Sequence, residues 1–89
     1  MTKEQLNEFG YDHVKQLANG SWIALYRYLF TWGIVVGIKE LDYEGRYCYE
    51  DYQDAIGAFN EWEGTGDPSG NWLKYKGRPY ERDNPNYEK

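Results

Sequence analysis

Residues 46–63 (RYCYEDYQDAIGAFNEWE) contain the change of hydrophobic period that decides the fold class. Arg46-Tyr47-Cys48-Tyr49 alternates with a period of two, as a strand does. From Asp51, a good N-cap, Tyr52, Ala55, Ile56, Phe59 and Trp62 recur at the spacing of a helix, while Gln53, Asp54, Asn60 and Glu61 lie mainly on the other side. Gly64 ends the helix. A strand running directly into an amphipathic helix requires a sheet for that helix to cover.

The sheet is found upstream. Residues 22–30 (WIALYRYLF) have no helix-like polar face and read as a strand buried on both sides or nearly so. Residues 34–41 (IVVGIKEL) form a second β-rich run, and the link at residues 31–33 is short enough for a hairpin. Residues 42–45 hold the next turn signal, so three strands joined by short links predict an antiparallel meander. At the amino terminus Thr2-Lys3-Glu4-Gln5 fits a capping box, and Asp12 can cap a second short helix through Ala18, stopped by Asn19-Gly20. Downstream, residues 64–70 are a loop by composition, and residues 72–76 are a candidate short edge strand.

The expected fold class is therefore α+β: a three-stranded antiparallel sheet with residues 72–75 as a candidate fourth strand, covered by helix 51–63 and a short amino-terminal helix. Trp22, Ala24, Ile34, Val36, Ile38, Ala55, Ile56, Phe59 and Trp62 are the expected core. Residues 1–76 form the expected domain. Residues 77–89 contain no aliphatic side chain and are expected as a polar tail.

The chain has 89 residues, 40% of them hydrophobic, which suits one core and no second domain. Its one cysteine, Cys48, cannot close an intramolecular disulfide, and the first residues lack the apolar stretch of a signal peptide. The longest apolar run falls far short of the roughly 20 residues of a membrane span. The expected setting is cytoplasmic, with no membrane contact, as a monomer or homodimer. One His and one Cys, without CxxC, HxxxH or EF-hand spacing, predict no metal site. The loop glycines follow a helix and lack the Lys-Ser/Thr pair of a phosphate cradle. No spacing places Cys48 beside His13, so neither a cofactor nor a catalytic site is expected.

Charge and aromatic content are more informative. The net charge is −5, but residues 40–67 alone carry nine acids against Arg46, a local net of −8. Residues 1–39 carry +1 and residues 68–89 carry +2. Aromatic residues make up 19% of the chain, ten of them Tyr, more than a core of this size is expected to bury with satisfied hydroxyls. Glu44, Tyr47, Tyr49, Glu50, Asp51, Tyr52, Asp54, Glu61 and Glu63 are accordingly the candidate partner-binding residues, a carboxylate array with tyrosines suited to a basic protein surface. An overall negative charge argues against nucleic acid as the default partner. Two other readings stay open: a small-ligand binder stacking a nucleotide on aromatic rings, and nucleic-acid contact through residues 72–82, where aromatic and basic residues interleave.

Gly45-Arg46-Tyr47-Cys48-Tyr49, the helix from Asp54-Ala55 to Trp62, Gly64-Thr65-Gly66-Asp67-Pro68 and Gly70-Asn71-Trp72-Leu73-Lys74-Tyr75-Lys76-Gly77 resemble a family of small uncharacterised proteins encoded by bacteriophages and bacterial mobile elements. The resemblance covers residues 43–86 and carries over no functional residue. Its setting implies a non-enzymatic inhibitor of a host nucleic-acid-handling or defence protein, of the anti-CRISPR or DNA-mimic kind, acting in the host cytoplasm.

Overall fold

Six strands, rather than three or four, form one antiparallel sheet in a computed structural model that describes residues 2–11, 13–40 and 42–89. The strands are β1 (His13–Gln16), β2 (Trp22–Arg27), β3 (Trp32–Val36), β4 (Gly45–Tyr49), β5 (Trp72–Gly77) and β6 (Arg82–Asp83), and they lie side by side in chain order. Helix α1 (Lys3–Glu8) packs on β1, and α2 (Tyr52–Glu61) crosses one face of β2, β3 and β4. The α+β class stands as expected.

The helix starts were legible in local chemistry. Thr2 and Gln5 form the capping box, with Gln5 N donating to Thr2 Oγ1 at 3.3 Å and Thr2 N donating to Gln5 Oε1 at 2.9 Å. Asp51 caps α2 by accepting from Gln53 N at 2.8 Å. The second short helix expected from Asp12 is absent: residues 13–16 are strand, and Asp12 itself lies outside the described residues, as does Leu41 at the end of the expected second strand. Asn19-Gly20, read as a helix stop, is instead the turn of the β1–β2 hairpin. There Gly20 takes φ +90 and Leu17 N donates to Ser21 O at 2.8 Å.

The core lies between α2 and the facing side of the sheet. Ile23 and Leu25 of β2, Ile34 of β3, Tyr47 and Tyr49 of β4, and Trp72 and Tyr75 of β5 meet Ala55, Ala58 and Phe59 of α2. Of the expected core, Ala24, Ile34, Ala55 and Phe59 are buried, whereas Trp22, Val36, Ile38, Ile56 and Trp62 are only half-buried. Successive strand residues point to opposite faces, so Ile23 and Leu25, not Trp22 and Ala24, are the β2 residues that meet α2. Ala24 and its partner Val35 are nonetheless fully buried, leaving the sheet centre dry on both sides.

Residues 72–77 are an interior strand, because part of the polar tail returns as β6. Arg82 pairs with Tyr75 and Asp83 with Lys74. Polar bonds rather than apolar burial hold this tail: Asn84 Nδ2 donates to Trp72 O at 2.8 Å, and Glu88 N to Asn71 Oδ1 at 2.8 Å. The close packing of β4 on β5 depends on glycine. A Cβ on Gly77, which has φ +150, would collide with Gly45 Cα.

Candidate functional site

The nine residues expected to contact a partner do not form one face. Tyr47 and Tyr49 belong to the core, with exposures of 6% and 0%. Strand alternation puts both on the side covered by α2, and their hydroxyls are satisfied there. Tyr47 donates to Asp67 Oδ1 at 2.9 Å and Tyr49 donates to Ser69 O at 2.7 Å. Burial, and for Tyr47 also its bond to Asp67, pushes both hydroxyls well above the ordinary tyrosine range. Asp67 is in turn held by two guanidinium nitrogens of Arg82, whose bonds pull its carboxyl below the usual range. These two tyrosines are therefore anchors for residues 63–71 and not surface contacts.

The carboxylates separate into groups. Helix α2 turns Gln53, Gly57 and Asn60 outward along with Glu61, so its exposed surface is mostly neutral. Its acids gather at the ends: Glu50, Asp51 and Asp54 at the start, Glu61 and Glu63 at the finish, about 15 Å apart for ten helical residues. Glu44 lies at the opposite end of β4 from Glu50, about 20 Å away along the strand. Glu61 accepts from Ser69 Oγ at 3.1 Å. Among the described residues none of Glu50, Asp51, Asp54, Glu61 and Glu63 is in an ion pair.

The group at the start of α2 has apolar neighbours that the sequence reading missed. Residues 28–31 close the β2–β3 hairpin through Tyr28 N donating to Thr31 O at 2.8 Å. Leu29 and Phe30 project from that tip, 85% and 86% exposed. Just behind them Arg27 pairs with Trp32, the guanidinium 5.9 Å from the indole. Trp32 pairs in turn with Tyr49 across β3–β4 and meets the Tyr52 ring at a tilt, with centroids 4.6 Å apart. One end of the molecule thus joins two bare apolar side chains, two half-buried rings and the carboxylates Glu50, Asp51 and Asp54. Leu29-Phe30 has no Gly, Asn, Asp or Pro to mark a turn, so composition alone extends the strand through it.

Other chemistry is not assembled. Among the described residues no three His, Cys, Asp or Glu side chains converge on a metal-sized site, and no helix is long and apolar enough to cross a membrane. Cys48 is buried on β4, three strands from exposed His13 on β1. A hollow of about 520 Å³ between the β1–β2 turn and the end of α2 has Lys15 and Glu63 as its ionisable lining groups among the described residues. Within residues 72–82, Trp72 and Tyr75 are buried, Arg78 lies 3.6 Å from Asp42, and Arg82 is taken by Asp67. No protein-family model matches this chain, nor does any curated protein or solved structure.

Proposed function

We propose that this chain is a non-enzymatic binding protein that docks, by the end carrying residues 28–31 and 50–54, on a basic nucleic-acid-handling protein and inhibits it. The observation that supports this reading most strongly is the pair Leu29 and Phe30, about 85% exposed at the tip of the β2–β3 hairpin. A contiguous apolar projection gains nothing in water, whereas in a partner's pocket it is the kind of central anchor that carries binding energy. Glu50, Asp51 and Asp54 beside it, in no ion pair among the described residues, form an acidic rim, which selects a partner whose pocket is bordered by Lys or Arg. The resemblance to phage and mobile-element proteins suggests the inhibitory outcome.

The test compares tagged wild-type chain with Phe30→Ser and Tyr80→Ser in capture from bacterial lysate. Tyr80 is 66% exposed but remote from the hairpin in sequence and sheet order, and serves as the control. Phe30→Ser is expected to lose the captured partner while its unfolding midpoint stays within about 0.5 kcal/mol of wild type. Tyr80→Ser should retain the partner, and raised salt should weaken capture by the wild type. A Phe30→Ser chain that captures the same protein as strongly as the wild type would end this reading.

A further inference from the structure

The face of the sheet turned away from α2 carries the opposite chemistry. Alternation places Tyr26 of β2, Arg46 of β4 and Lys76 of β5 there, out of register with the residues that meet α2. Gly33 of β3 leaves room for a ring to lie flat: a Cβ at that position would stand 2.6 Å from Tyr28 Cε2. Rings and cations then follow one another across the strands. Tyr11 meets Tyr26 at 5.8 Å, Tyr26 meets Tyr28 at 4.9 Å, and the Arg46 guanidinium lies 4.1 Å from the Tyr28 ring. Arg46 Nη1 also donates to the Tyr43 hydroxyl at 2.8 Å. Lys76 is the cross-strand partner of Arg46, and exposed.

This strip borders an open groove of about 230 Å³ lined by Phe9, Tyr11, Tyr26, Tyr28 and Tyr43. The groove continues past Phe9, Tyr11 and Tyr43 into a hollow of about 320 Å³ edged by Lys39, Glu40 and Asp42. Asp42 is partnered by Arg78 and Asp83 by Lys74, whereas Glu40 at this rim and exposed Glu44, two residues before Arg46, are in no ion pair among the described residues. Arg46 and Lys76 have no carboxylate partner among the described residues. Burial holds the Tyr28 and Tyr11 hydroxyls above the ordinary range, so these rings stay uncharged and do not oppose an anion.

We propose that this aromatic and basic face binds single-stranded nucleic acid, with bases stacking on the tyrosine rings and phosphates meeting Arg46 and Lys76. Every base has a π-face, so a row of rings flanked by cations accepts a strand with little sequence preference, provided the bases are unpaired. The overall charge does not forbid it. The carboxylates of α2 belong to a helix packed on the opposite side of the sheet, so Arg46 and Lys76 are nearer than those acids to a strand bound on this face. The inference is independent of Leu29 and Phe30, which do not line the groove, although Tyr28 at the base of the same hairpin does.

Fluorescence anisotropy of labelled oligothymidylate and oligouridylate, titrated with the full chain at low and at high salt, tests it. Saturable binding is expected at low salt, weakening as salt rises. Lys76→Glu and Tyr26→Ala should each weaken it about tenfold, and Tyr26→Phe, which keeps the ring, should bind as the wild type does. A duplex of equal length should bind at least tenfold more weakly. Phe30→Ser should bind like wild type, which separates this face from the docking end. No anisotropy change at low salt, a duplex bound as tightly as the single strand, or wild-type affinity in the Lys76→Glu chain would each overturn the proposal. The lysine variant carries the test if Tyr26→Ala does not fold.

Discussion

Tyr49 shows how one hydroxyl decides between core and surface. A phenol with no reachable partner inside would have to face water, and composition alone supplies no such partner. Here Ser69 O stands 2.7 Å from the Tyr49 hydroxyl, brought there by a loop twenty residues further on. Replacing Tyr49 by Phe is expected to cost about 0.5–1.5 kcal/mol in urea unfolding, the net worth of one part-buried hydrogen bond. An unchanged midpoint would show that water replaces the bond at no cost. The same logic explains why Tyr47 and Tyr49 looked like interface residues. Their count and spacing are visible in the sequence, but the acceptors Asp67 and Ser69 are contributed by tertiary structure.

At the scale of elements, α2 was the most legible part, because its cap and apolar stripe agree, although it stops at Glu61 with Trp62 already extended and does not run through Glu63 to Gly64. Asp51→Ala should lower stability by about 1 kcal/mol in thermal or urea unfolding; a loss near zero would mean that Gln53 N is served equally well by water. Residues 13–18 were read wrongly for a physical reason. Val14, Leu17 and Ala18 fit a helical stripe, while His13-Val14-Lys15-Gln16 fits a strand equally well, and only pairing with β2 through the Asn19-Gly20 turn settles the choice. The parity of β2 was lost in a similar way. Residues 22–26 are apolar or aromatic throughout, so nothing local says which set meets the helix. The hairpin tip was invisible because its residues are poor turn formers, and the two-residue β6 is too short to announce itself. Of the candidate site, Glu50, Asp51, Tyr52 and Asp54 are together at one end. Glu44, Glu61 and Glu63 are elsewhere, because a strand and a helix separate residues that are close in sequence.

For the whole molecule, the tyrosines give stability a direction in pH. The hydroxyls of Tyr11, Tyr28, Tyr47, Tyr49 and Tyr75 are held above 10.0 in the fold, burial being the largest cause for each. An unfolded chain loses these protons near 10.0 while the folded chain keeps them. Their contribution is thus complete below about pH 10 and falls as the pH rises beyond it. Urea midpoints should be steady between about pH 8 and 9 and drop by about pH 11; equal midpoints at both ends would contradict the buried phenols. Charge is arranged at this scale too, with carboxylates around α2 and the Arg46–Lys76 pair on the other side of the sheet. The net value of −5 averages over both.

The order β1-β2-β3-β4-β5-β6 has a further effect, on how the chain reaches this state. Every strand pairs with its immediate predecessor, so each new hairpin closes a short loop onto structure that already exists. During synthesis no strand has to wait for a partner made much later. Only α2 and the segment after it interrupt the succession, and they enter between β4 and β5, when the surface they cover is already made. The protein can therefore be assembled in the order in which it is translated.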